Sequence, residues 1–259
     1  MLVGVQTRSL KIPFKKALPR IAAMGAVAVE LDARDELRPS QVTDTGLRQI
    51  RKWLNDHQLK VSAVSFRTRR GYDVAEDLER RVEATKEAMQ LAFALGCSTV
   101  VNQVGRIAAD ETDNPNWRRL VDALSDLGRF GERTGAWLAM ATGSEDGADM
   151  LKLIDALPTG SVKVNFDPGS LIINGFSASE AAAILGQHIV HVHARDAVRD
   201  LARGRGLEVA LGRGSVDFPE LMGVLEEHGY RGYFTVIREH SEHPLEEVGL
   251  AVQYLSNVH

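Results

Sequence analysis

Two stretches in the second half of the chain concentrate side chains that could do chemistry. In "VKVNFDPGS" an apolar run ends on Asp167, immediately before a Pro-Gly turn. In "HIVHVHARD" the alternating His191 and His193 point to the same side of an extended strand, with Arg195 and Asp196 just beyond. A carboxylate and an imidazole at the ends of neighbouring strands suit a divalent metal such as Mn, Mg, Zn or Co. The same pair could equally be a proton-transfer couple or a clamp on sugar hydroxyls. A lone strand histidine can also be a hydrogen-bonded core residue, and two ligands alone make a poor metal site. A third stretch, "GAWLAMATGSED", has the same strand-then-turn form, yet its apolar run ends on Ala141 and Thr142. Its carboxylates, Glu145 and Asp146, come only after the turn.

These side chains need a scaffold, and the chain alternates short β-type runs with helical patterns from end to end. The strand-like runs are 2–6, 27–32, 60–66, 98–103, 136–141, 162–167, 189–194 and 232–237. They are rich in Val, Ile and Ala and mostly lack strict alternation, as strands buried on both faces should. Between them, Leu78, Val82, Thr85, Met89 and Ala92 form one helical stripe closed by Gly96, and Leu47, Ile50 and Leu54 form another with Ser40 as candidate N-cap. A short alanine-rich helix is expected over 179–185. Eight β-α units without a linker or composition break predict one (β/α)8 TIM barrel domain over 1–259. A doubly wound open sheet is the alternative; no Gly-x-Gly-x-x-Gly turn follows the first strand, so no nucleotide cofactor is expected.

Composition excludes several function classes. Lys+Arg 31 against Asp+Glu 35 gives a net charge of −4, which offers nothing general to nucleic acid or an anionic membrane. The basic clusters Arg67-Arg69-Arg70 and Arg199-Arg203-Arg205 are local, either solvated loop charge or a phosphate or carboxylate site. The single cysteine, Cys97, rules out an internal disulfide and reads as a small core residue. No apolar run is long enough to span a membrane and no secretory pattern opens the chain, so a cytoplasmic protein is expected.

In a barrel of this kind, catalytic groups come from the C-terminal ends of the strands. With those ends in view, "AMGAVAVELDAR", "LGCSTVVNQ", "VKVNFDPGSLI", "IVHVHARDA" and "ALGRGSVDFPELMGVLEEHGYRGYFTVIRE" resemble, in order and over nearly the whole chain, the xylose isomerase-like TIM barrels. That group of sugar isomerases and epimerases includes ketose 3-epimerases, inosose dehydratases and endonuclease IV. The resemblance implies a divalent metal held by Glu, Asp, His and Glu at the ends of strands five to eight. In the epimerases and isomerases the glutamates also move the proton beside the carbonyl.

Carried onto this sequence, the resemblance puts Asp167 and His193 at the sixth and seventh ligand positions. Ala141 falls on the fifth-strand glutamate and Ile237 on the eighth, while Ser170 stands where a second histidine often follows. Glu239, Glu145 or Asp146 could substitute from nearby; otherwise they are solvated loop or helix-start carboxylates. Loss of two carboxylates should sharply weaken divalent binding. The expectation is therefore a sugar or polyol isomerase/epimerase-like protein with Asp167, His193 and Glu239 as catalytic candidates. Glu30, Asn102, Gln103, Arg195, Asp196 and Arg213 would bind a small carbohydrate. The alternative is a pseudoenzyme that binds a sugar-like ligand or a protein partner without turnover. A nuclease is disfavoured for want of ligands and a basic face. A homodimer is an expectation of the resemblance alone.

Overall fold

Valine, leucine and phenylalanine recur at alternate strand positions, and in the structure most of them face the surrounding helices. The computed structural model describes residues 1–107, 114–200 and 205–258. Its barrel strands are β1 (Leu2–Gln6), β2 (Ala28–Asp32), β3 (Lys60–Ser65), β4 (Thr99–Asn102), β5 (Trp137–Ala141), β6 (Lys163–Phe166), β7 (Ile189–Ala194) and β8 (Tyr233–Val236). They pair in parallel in the order β1-β8-β7-β6-β5-β4-β3-β2 and close into a barrel, as expected, which excludes the open sheet.

Each strand interior is followed by a helix that covers it: α1 (Phe14–Ala23), α2 (Asp44–Asp56), α3 (Leu78–Ala94), α4 (Pro115–Thr134) and α5 (Gly147–Asp155). The second half adds α6 (Pro168–Ile173), α7 (Ala178–Leu185), α8 (Phe218–Glu227) and α9 (Pro244–Val258). Val5, Leu31, Leu138, Phe166, Val192 and Phe234 join the helices' apolar faces in one large core. Burial of such side chains contributes roughly 1.5–3 kcal/mol each.

The other strand face is of a different character. Gln6, Glu30, Ser62, Asn165, His191, His193 and Thr235 are all buried there, and Ala63, Val101 and Ala139 form a separate small cluster against Ala141. The strands thus do alternate, apolar outward and polar or small inward, although both faces are buried. Gly4 is what lets polar side chains cross the barrel beside β1. A Cβ there would lie 2.9 Å from Thr235 Oγ1 and 3.3 Å from Ser62 Oγ, the two atoms that bond each other at 3.0 Å.

Local differences from the sequence reading have local causes. The N-cap of α2 is Thr43, whose side chain accepts from Gly46 N–H, and Ser40 belongs to a preceding 3-10 turn. Ser177 caps α7, which begins one residue earlier than expected. A short antiparallel hairpin, Asp196–Val198 with Leu207–Val209, rises after β7 and was not anticipated. Arg203 of the second basic cluster lies outside the described residues. Among the described residues no helix is long and apolar enough to cross a membrane. Cys97 is a buried free thiol, pushed up to about 12 by desolvation.

Candidate functional site

A single carboxylate deep in the barrel organises the polar interior. Glu30, on β2, is wholly buried; its Oε1 accepts from Gln6 Nε2 at 2.8 Å and its Oε2 meets His193 Nε2 at 2.6 Å. Ser9 Oγ donates to Gln6 Oε1 at 3.1 Å. On the other side, Asn165 lies between the two imidazoles, with Oδ1 2.7 Å from His191 Nδ1 and Nδ2 3.0 Å from His193 Nδ1. His191 Nε2 then meets Thr235 Oγ1 at 2.8 Å. Turning the Asn165 amide over lets the same side chain serve a doubly protonated His193, since the hydrogen bonds alone set which end faces which ring.

Charge is stabilised unevenly along this chain. Burial works against ionising Glu30, but the charge and hydrogen bond of His193, with help from His191 and Gln6, hold it at about 2. Burial likewise works against a charged His193, and the Glu30 and Asp167 carboxylates overcome it, raising the ring to about 9. His191, with both nitrogens spent on neutral partners, is lowered to about 3, chiefly by burial. Two histidines of the same strand face therefore have opposite tasks: one carries charge, the other holds the frame.

Above this floor the C-terminal mouth of the barrel encloses a cavity of about 390 Å³. Asp167 follows β6 directly and caps α6: its Oδ1 accepts from Ser170 N–H at 2.8 Å, while its own N–H donates to Thr142 Oγ1 at 2.7 Å. Its Oδ2 faces His193 Nδ1 at 3.7 Å and Arg195 Nη1 at 3.4 Å. Although burial opposes its charge, Arg195 first, then His193 and the Ser170 amide, keep Asp167 below its ordinary value. Arg195 also reaches Glu239 Oε2 with Nη2 at 3.1 Å and Ser170 Oγ with Nη1 at 2.9 Å, while its buried Nε lies 3.8 Å from Glu208 Oε1.

Most of the residues nominated from the sequence meet here. Glu30, Asn102, Gln103, Asp167, His193, Arg195 and Glu239 line the cavity together with Ala141 and Ile237. Asn102 is tied inward, accepting from Thr68 N–H at 3.1 Å and donating to Tyr72 Oη at 2.9 Å.

Two nominations require correction. Asp196 spends both oxygens on backbone amides, Oδ1 on Ala197 and Val216 and Oδ2 on Gly212 and Gly214, at 2.8–3.1 Å. It is a loop clamp with no capacity left for a ligand, and Gly214 is required because a Cβ there would sit 2.0 Å from Asp196 Oδ1. Arg213 is exposed on that clamped loop, away from the cavity lining.

The carboxylates weighed as substitutes are also committed elsewhere. Glu145 accepts from Ile107 N–H at 3.2 Å, and Asp146 caps α5 through Asp149 N–H at 2.8 Å. Glu239, beyond the end of β8, is held by Arg195 and lies 3.9 Å from Arg67 Nη1. Asn165 and Thr235 were not singled out in the sequence, while Ser170 and Arg67, named there only as a replaced histidine and as part of a basic cluster, also line the cavity. Asn165 and Thr235 each stand two residues before a nominated strand-end position, so a period-two reading would have found them. Glu208, on the hairpin, was also missed; it accepts from the Glu239 and His240 amides at 3.0 Å each and ties the hairpin to the segment after β8.

The residues at the expected metal position do not fit a divalent ion. Of four places, Ala141 and Ile237 bring no donor, and the Asp167 oxygen that faces His193 already faces a guanidinium. Mg and its like need more oxygen donors and less positive charge than this. Deeper in, Glu30, His191 and His193 bring ligand atoms within 4.8 Å of one another, the arrangement among the described residues that could gather a cation. Each of those atoms is already hydrogen-bonded, so an ion there would have to displace the network.

A model of the xylose isomerase-like TIM barrel family matches residues 18–258. The chain belongs to that family. Among its family relatives is an inosose dehydratase of Bacillus thuringiensis, 25% identical over 222 residues, covering 73% of this chain and 72% of the relative. The solved structure of a xylose isomerase domain protein from Planctomyces limnophilus superposes with a TM-score of 0.87 at 23% identity, over 99% of this chain and 96% of that one. A xylose isomerase-like TIM barrel protein from Mycobacterium smegmatis, solved in complex with magnesium, gives a TM-score of 0.77 at 19% identity, over 95% and 87% of the two chains. These likenesses carry the family fold.

Proposed function

We propose that this chain is a sugar or polyol isomerase/epimerase-like protein that takes a small carbohydrate at the barrel mouth and works without a divalent metal. The observation that carries the reading is the Arg195 guanidinium 3.4 Å from Asp167 Oδ2, at the end of the His193–Glu30 ion pair. Arg195 brings a fixed positive charge to the mouth, near the place where a metal would polarise carbonyl and hydroxyl oxygens. His193, held by Glu30, presents its Nδ1 edge to the same region. A bound ketone or hydroxyl would thus meet directional N–H donors in place of a Lewis acid. Family membership supports a carbohydrate ligand, and the polar mouth supplies matching hydrogen bonds.

A second reading has its own support. Ala141 and Ile237 leave two walls of the mouth without a base, while Asp167 and Glu239 are both held in ion pairs. On that reading the protein binds its ligand without turnover. Calorimetric titration with ketoses and inososes, followed by solvent-deuterium exchange on whatever binds, separates the two. Exchange at the carbon beside the carbonyl, abolished in Asp167→Asn, is the enzyme result. Binding without exchange is the non-catalytic one, and no binding across the panel overturns the carbohydrate reading itself.

A further inference from the structure

The basic cluster Arg67-Arg69-Arg70 has a counterpart in space that the mouth does not use. Next to the mouth, between the β3–α3 loop and the first turns of α3, lies a second cavity of about 500 Å³. Five arginines line it, Arg34, Arg69, Arg70, Arg80 and Arg81, against two carboxylates, Glu76 and Asp77. Arg70 is neutralised by an ion pair with Glu76. Arg34 spends one guanidinium nitrogen on the Arg67 carbonyl at 2.8 Å, and Arg81 gives two to backbone carbonyls while its Nε stays buried without a partner. Arg69 and Arg80 make no hydrogen bond or ion pair with any described residue. In a chain of net charge −4, this cavity carries an excess of three positive charges.

The helix beside it points the same way. Asp77 enters α3, a seventeen-residue helix, at φ 55° and makes no side-chain cap; the Leu78 amide is taken instead by the Ala75 carbonyl at 3.2 Å. A helix N-terminus is electropositive, and although Asp77 and Glu79 stand at this one, the arginines in its first turns leave the cavity with net positive charge. Arg80 and Arg81 sit in that position. Guanidinium N–H groups from four side chains, with the helix end, match the several oxygens of a phosphate group.

We propose that this cavity is an anion site for a phosphate dianion. Thr68 lines both this cavity and the mouth, and it is fixed to Asn102 by hydrogen bonds of 3.1 and 3.0 Å. The phosphate can therefore be free inorganic phosphate or the ester end of a ligand lying across Thr68 into the mouth, and the site chemistry is the same for both.

The test is calorimetry and ³¹P line broadening with inorganic phosphate in low-salt buffer, on wild type, on the Arg69→Gln/Arg80→Gln double variant, and on Arg20→Gln as a remote control. Neither Arg69 nor Arg80 holds the fold through a bond, so the variant should melt as wild type does. Phosphate is expected to bind wild type and the control alike and the double variant at least tenfold more weakly, with chloride failing to compete. A ketose phosphate then distinguishes the source. Affinity at least tenfold above inorganic phosphate, lost in the double variant, identifies a phosphorylated ligand; equal affinity identifies free phosphate. Equal phosphate binding by wild type and the double variant, or an equal loss in the Arg20 control, overturns the proposal. Failure of unphosphorylated ketoses to bind would sink the carbohydrate reading of the mouth and leave this result standing.

Discussion

Replacing Glu30 with glutamine tests the buried ion pair on which the mouth rests. Glu30 lies at about 2 against an ordinary 4.5, and His193 at about 9 against 6.5. At 1.36 kcal/mol per pKa unit each displacement is worth about 3 kcal/mol, and because both report one attraction the pair contributes about 3 kcal/mol once. The Glu30 share is fully present above pH 4.5 and is lost as pH falls toward 2, because its folded value is depressed. The His193 share has the opposite sign: it is fully present below pH 6.5 and is lost as pH rises toward 9. The full stabilisation therefore spans roughly pH 4.5–6.5. Glu30→Gln keeps the shape and loses the charge, and burial then favours neutral His193. The melting midpoint should fall by roughly 6–12 °C at about pH 5.5, using about 2–4 °C per kcal/mol for a chain of this size. The deficit should shrink toward zero by about pH 9. Thermal melts of both proteins across that range read it directly, and the difference between them cancels other titrating groups. Two parallel profiles, with a constant gap, would refute a charged pair and leave only lost packing.

Three further outcomes follow from the same geometry. Protein loaded with Mn or Zn and desalted should retain well under one equivalent by elemental analysis, and Ala141→Glu/Ile237→Glu should raise that figure; stoichiometric metal lost in Asp167→Asn would contradict the fit argued above. Asp196→Ala strands four backbone amides and should cost about 2–4 kcal/mol in unfolding free energy, with Asp196→Asn costing less, since unsatisfied buried donors lose their full desolvation. Cys97, buried and raised to about 12, should resist a thiol reagent in the native protein and react fully once unfolded in strong guanidinium. Rapid native labelling would mean that the barrel opens far more readily than its core implies.

The barrel was legible because its strands carry the same outward valines, leucines and phenylalanines that make parallel sheets apolar. Strand ends fell within a residue or two, and Asp167, His193 and Glu30, read at strand ends, line one cavity. Their roles were harder to read. Adjacent residues of a strand end point opposite ways, so "HARD" sends Arg195 into the mouth and Asp196 into a clamp on a loop some sixteen residues away. Nothing in composition distinguishes those two fates; the loop partner does, and it is a long-range contact. The hairpin that carries Glu208 escaped for a related reason. Its strands are three residues each and too short to show a period.

The relation between His193 and Arg195 follows from strand parity. A histidine that ligates a metal usually gives its other N–H to a carboxylate, which fixes the ring and leaves one nitrogen for the ion. His193 keeps part of that arrangement: Nε2 is taken by Glu30, while Nδ1 meets Asn165 Nδ2 at 3.0 Å and faces Asp167 at 3.7 Å. The ring is thus held by a carboxylate as such a ligand would be, while Ala141 and Ile237 of the same mouth offer no side-chain donor. Arg195 shares the inward parity of His193 two residues on, so its guanidinium reaches the Asp167 oxygen on the same side of the strand. A guanidinium there neutralises the carboxylate as an ion would, yet it differs in one respect that matters for chemistry. It donates hydrogen bonds in fixed directions, and it cannot generate hydroxide from a bound water. On the metal-free proposal, chemistry at this mouth would be confined to proton transfers among groups already present. Arg195→Lys, which keeps the charge but loses the fork, should weaken carbohydrate binding several-fold while the buried Glu30–His193 pair and its pH profile stay unchanged. A variant that binds as wild type does would show that charge alone, without direction, is what the site requires.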